Sequence, residues 1–131
     1  MTNAMPIFIN SLFPFLAEKS LDSQAKEFIE SARKSIALAE KELKYADISF
    51  AQADKDSETP NLKLAEISVW HYAQTMKYYS EAVANLEQAS KLEMPVKYKK
   101  YVDLKTKKCL EEMAYSNTRK IKLGSILRIS R

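Results

Sequence analysis

Residues 25–53 read AKEFIESARKSIALAEKELKYADISFAQA, and their spacing decides the fold. Ala25, Ala32, Ala39, Ala46 and Ala53 recur every seven residues, and Ile29, Ile36, Leu43 and Phe50 form a second column four positions on. No Pro or Gly interrupts the run, and no polar residue stands in either column. A sustained heptad of this kind predicts a long helix with left-handed, coiled-coil-like packing. A column of alanines lets a neighbouring backbone come close, toward the short end of the usual 8–10 Å axial separation. The larger column fills the groove beside it, so an antiparallel helix pair is expected.

Punctuation on either side of this run sets the number of helices. Ser20–Ser23 (SLDS) offers several N-caps for a helix over 21–54. The polar stretch Asp54–Pro60 (DKDSETP) is a turn, with Thr59 and Pro60 as cap and first-turn pair for a helix over 60–92. Met94–Pro95 breaks that helix, and Pro95 starts a third over 95–123. Gly124 suits the left-handed C-terminal position, leaving 124–131 as a basic tail. Residues 1–19 form an apolar segment, uncharged through residue 17 and containing Pro6 and Pro14. It lacks the basic start and small-residue cleavage site of a secretory signal and is short for a membrane span. A short helix docked on the remainder is expected, with an in-plane membrane anchor as the alternative. The whole, 1–131, reads as one all-α domain: an elongated, antiparallel, up-down-up three-helix bundle with a short N-terminal helix.

The second helix carries the seam Leu62, Ala65, Val69, Tyr72, Met76, Tyr79, Val83, Leu86, plus smaller sites at Ala73, Ala82, Ala84 and Ala89. Ile67, Trp70 and Tyr78 lie off that stripe. A helix apolar over most of its circumference is buried on more than one side. These three residues need a cover, which the N-terminal apolar segment, a second copy of the chain or a different partner could supply, and they are the candidate partner or oligomer interface. Within this helix, YYSEAVANLEQASKLEMP (Tyr78–Pro95) resembles the second helix of a tetratricopeptide repeat, with Ala82, Leu86 and Ala89 at its spacing. The resemblance covers 18 residues and occurs once. Pro95 falls one position late, and the helices are about twice the repeat's length, so it is read as generic helix-hairpin packing. The third helix has the weakest apolar face: Tyr98, Val102, Cys109 and Met113, with Leu110, Ala114 and Ile121.

Composition narrows the chemistry. The 131 residues include one Gly, one Cys and one His, where average usage would give about nine glycines. Such a chain cannot build a dinucleotide fingerprint or a P-loop, a Cys/His zinc site or an internal disulfide. Lone Cys109 suits a reducing, cytoplasmic setting. Lys105 one turn earlier and Lys108 next to it favour its thiolate, and the apolar face opposes it. His71 shares a face with Ser68 and Thr75, without an oxyanion hole or nucleophile turn in view. Glu66 is five residues before His71, so the Glu-x-x-His pair of di-iron bundles is missing. Asp54, Asp56 and Glu58 imitate the start of a calcium loop, but Thr59 replaces its glycine and Ala65 its final Glu. No catalytic residue, cofactor, metal or small-molecule substrate is expected.

Charge is uneven. Residues 1–96 hold ten Lys/Arg against fourteen Asp/Glu, and 97–131 hold eleven against three, within a total of +4. Lys97, Tyr98, Lys99, Lys100, Lys107 and Lys108 are the candidate nucleic-acid or anion contacts, with tyrosine placed to stack a base. An anionic membrane is a less favoured partner. In the plainer reading, Tyr98 and Val102 face inward, lysines snorkel over the rim, and acidic residues of the first helix neutralise the third. The expected function is a non-enzymatic interaction or scaffold protein that associates with itself or with another helical protein. The alternative is a nucleic-acid-binding module using the basic third helix.

Overall fold

A computed structural model describes residues 22–53 and 61–129, and these residues fold as three packed helices with no strand among them. Helix α1 spans Ser23–Ala53, α2 spans Leu62–Ser90 and α3 spans Val96–Ile129. The all-α three-helix bundle read from the sequence is the observed architecture. The expected N-terminal helix, the 54–60 turn with Thr59 and Pro60, and the last two residues of the tail lie outside the described residues.

Local chemistry sets the boundaries. Asp22 supplies the cap of α1, its carboxylate accepting from the Gln24 amide at 2.7 Å and the Ala25 amide at 3.3 Å. Asn61 caps α2 and accepts from the Leu64 amide at 3.1 Å. The expectation of Thr59 as cap is thereby corrected by two residues. An Asn side chain satisfies the orphan first-turn donors as well as a Thr does. The Pro95 carbonyl accepts from the Tyr98 and Lys99 amides, so Pro95 stands just ahead of α3 and not inside it. The expected stop at Gly124 is also wrong. Gly124 does not adopt a positive φ, and α3 runs on to Ile129. Leu127 packs on the core beyond it, and that packing outweighs the cost of about 1 kcal/mol for a mid-helix glycine.

The α1–α2 seam is built from small residues. Ala25, Ala32, Ala39 and Ala46 are fully buried and Ala53 nearly so. On α2 the matching buried column is Ser68, Thr75, Ala82 and Ala89, again seven residues apart. The Ser68 hydroxyl donates to the Ala46 backbone carbonyl at 2.8 Å. A side chain this short reaches a neighbouring backbone only where two helices nearly touch. Ala65, Tyr72, Tyr79 and Leu86 are buried as expected, while Leu62, Val69, Met76 and Val83 are only half-buried. An alanine column accepts small partners and displaces bulky ones to the flanks, which corrects half of the expected α2 seam.

The helices form a row. Helix α2 packs along both neighbours, and α1 and α3 touch only sparsely. Helix α3 buries Tyr98, Val102, Cys109, Ser116 and Leu123. Leu110, Ala114 and Ile121, expected to help its apolar face, are exposed. One core cluster joins Ile29, Tyr79, Leu86, Tyr98, Val102 and Cys109 across all three helices. A second joins Ala46, Phe50, Ala65, Tyr72 and Leu123.

Candidate interaction surfaces

Leu38, Glu42 and Tyr45 stand at i, i+4 and i+7 on α1, and Ile67, Trp70 and His71 at i, i+3 and i+4 on α2, so each trio shares a face. His71 Nδ1 lies 2.6 Å from Glu42 Oε1, joining the two trios. The Trp70 ring stands edge-on to His71 at 5.0 Å, and the Tyr45 ring lies 5.6 Å away on a tilt. Leu38, Tyr45, Ile67 and Trp70 are all exposed, Trp70 by 56%. Two of the three interface residues read from the sequence, Ile67 and Trp70, therefore meet on one surface. Tyr78 does not join it, since it is half-buried against the core. Leu38 and Tyr45 were missed. Their signal was two large apolar residues seven apart, beside the alanine column and outside both heptad columns.

The hydroxyls near His71 hold the fold. Ser68 donates to Ala46 as described, and Thr75 donates to the His71 carbonyl one turn back at 2.8 Å. Among the described residues no group of three or more His, Cys, Asp or Glu side chains is placed to hold a metal. Asp54, Asp56 and Glu58 lie outside those residues. Cys109 is buried, and burial pushes its thiol up to about 11. Glu40 and Glu112 add to that rise, while Lys105 pulls the other way. At neutral pH it is a protonated packing group.

The basic residues of α3 divide. Tyr98 is 1% exposed, so its ring is closed to stacking on a base. The Lys97 ammonium lies 5.0 Å from that ring's centre. Lys99 donates to the Ser90 carbonyl at 2.5 Å, satisfying an end group of α2. Lys100 and Lys107 line a shallow depression of about 350 Å³ with Asp103 and Leu104. Lys100, Lys107 and Lys108 are exposed. The expected neutralisation of α3 by α1 finds little support in the packing. The two helices meet sparsely, and α1 itself carries five Lys/Arg against five Asp/Glu.

Between α1 and α3 runs a groove of about 440 Å³, floored by Tyr79 and edged by Glu40, Lys44, Asp47 and Glu112. At one end Asp47 ties the row together. Its Oδ1 accepts from the Tyr72 hydroxyl of α2 at 2.5 Å and the Tyr115 hydroxyl of α3 at 2.9 Å. The Arg119 guanidinium covers the Phe50 ring at 4.0 Å and the Tyr115 ring at 5.0 Å.

Burial raises the hydroxyl pKa of Tyr72, Tyr79, Tyr101 and Tyr115. The Asp47 hydrogen bond adds to the rise at Tyr72 and Tyr115, and the Glu112 and Glu40 charges add to it at Tyr79. With Cys109, five groups thus hold their protons more tightly folded than unfolded. The stability they contribute is complete below the unfolded-state values and is lost as pH rises. The unfolding free energy from urea titrations should stay level from pH 7 to about 8, then fall, most steeply above about 10, at up to ~1.4 kcal/mol per pH unit for each titrating group. A value unchanged at pH 11 would contradict the buried, protonated tyrosines.

The chain matches no known protein family, no curated protein and no solved structure. Among the described residues, no helix is long and apolar enough to cross a membrane.

Proposed function

We propose that this protein is a non-enzymatic interaction or scaffold module that self-associates through the outer face of α1 and α2. The observation that carries the reading is the exposed cluster of Leu38, Tyr45, Ile67 and Trp70 around the His71–Glu42 pair. Interface centres are enriched in aromatic side chains, and exposed Trp and Tyr are frequent anchors. A second copy is the partner that fits. Helix α1 has balanced charge and α2 carries two Lys against three Glu, so two such faces meet without strong repulsion. Two antiparallel helices on one face, met by the same two from a second copy about a two-fold axis, make a four-helix contact. A buried, protonated Cys109 suits a reducing, cytoplasmic setting.

Sedimentation at about 1 to 200 µM should show mass rising toward the dimer, and Trp70→Glu should weaken dimerisation at least about thirtyfold. Helical content should be unchanged, because the residue is exposed. A monomer across that range, or a variant that dimerises as well as the parent, would remove this reading. The second reading, a nucleic-acid-binding module, rests on the exposed ammonium groups of Lys100, Lys107 and Lys108, with Lys97 and Lys99 beside them. Tyr98 supports it only as core packing beneath those lysines.

A further inference from the structure

Helix α3 turns one side to α2, and no other described helix packs on its opposite side. Buried Val102, Cys109, Ser116 and Leu123 lie seven residues apart and define the inner side. On the opposite side stand Val96, 70% exposed, and Leu104, 67% exposed, followed by Leu110, Ala114 and Ile121, all exposed. Lys100, Lys107 and Lys108 are interleaved with them, and Asp103 and Glu111 are the acidic residues of this side. From Val96 to Ile121 the strip is about 38 Å long. Over its full length α3 carries ten Lys/Arg against three Asp/Glu.

Cations alone suit any polyanion, so the uncharged residues between them discriminate. Nucleic-acid grooves without sequence preference pair their lysines with aromatic platforms. Here Tyr98 is buried and Tyr101 half-buried, and the residues left outside are aliphatic. Aliphatic side chains beside lysines match a lipid surface, where they enter the acyl boundary while the ammonium groups stay at the phosphates. We propose that the outward face of α3 docks in the plane of an anionic lipid bilayer. Leu104, Leu110 and Ile121 enter the interface, and Lys100, Lys107 and Lys108 pair with headgroup phosphates. The surface is separate from the α1–α2 face assigned to self-association.

Vesicle co-sedimentation tests this, using phosphatidylcholine alone and phosphatidylcholine with about 30 mol% phosphatidylserine at about 100 mM salt. The expected result is at least tenfold tighter binding to the anionic vesicles. Replacing Lys100, Lys107 and Lys108 by Gln should abolish that preference. Leu104→Ser with Ile121→Ser keeps every charge and should still weaken binding about tenfold. Circular dichroism would confirm that these exposed substitutions leave the helices intact. Equal binding to both vesicle types overturns the proposal. So does anionic binding that the serine pair leaves unchanged, which means adsorption by charge alone. Tighter binding to single- or double-stranded DNA than to anionic vesicles at the same salt assigns the lysines to nucleic acid instead.

Discussion

Ala46→Leu is expected to lower the melting temperature by about 10 °C or more, corresponding to about 3–4 kcal/mol. Ala46 has no exposed surface, and its carbonyl receives the Ser68 hydroxyl from the facing helix. A leucine needs room that only a wider helix separation provides. Widening also breaks the Ser68 bond and leaves that hydroxyl buried without its acceptor, a further penalty of about 1–3 kcal/mol partly included above. Ala37 lies on the same helix and faces solvent, so Ala37→Leu is the control and should change stability by no more than about 0.5 kcal/mol. Thermal unfolding of the two variants side by side isolates the position from the residue type. Equal melting temperatures would show that the alanine seam has room to spare.

The second large effect belongs to Asp47. Asp47→Ala should cost about 3 kcal/mol in urea unfolding at pH 7, because two tyrosine hydroxyls lose one charged acceptor. The larger share belongs to Tyr72, which is fully buried and has no access to water as a substitute. Tyr72→Phe alone should cost less, about 1–1.5 kcal/mol, since Asp47 retains Tyr115. With both changes made, no orphaned hydroxyl remains at residue 72. The double variant should therefore cost at least about 1 kcal/mol less than the sum of the singles. Strict additivity would mean that the carboxylate and the hydroxyl do not act together.

The alanine register shows what could be read in the sequence. A small residue repeated every seven positions has one economical explanation, and all five alanines are in the core. The facing column was harder. Ser68 and Thr75 look polar, and only the close approach set by alanine on α1 makes a small hydroxyl better than a larger aliphatic there. Gly124 misled because local preference favours a stop, whereas the packing of Leu127 is tertiary and has no local signature. Trp70 and Ile67 were visible as an excess that one seam could not absorb. Leu38 and Tyr45 escaped because α1 appeared complete with its two columns. The Asp47 junction was out of reach of pattern reading. It depends on residues 25 and 68 positions away along the chain, and nothing in the spacing of a lone Asp announces them.

The serial arrangement of the helices also orders events in time. Helices α1 and α2 are consecutive in the chain and share the small-residue seam, so their pairing closes one loop and forms a hairpin of low contact order. Helix α3 lays its inner side on the α2 face that remains, and its ties to α1 include the Tyr115–Asp47 bond and the cover of Arg119 and Lys122 on Phe50. Detaching α3 means opening its packing on α2 together with those ties, and it leaves the Ser68–Ala46 seam untouched. A nearest-neighbour stack of this kind is expected to open at its more weakly held end, so amide exchange should be faster in α3 than along the α1–α2 seam.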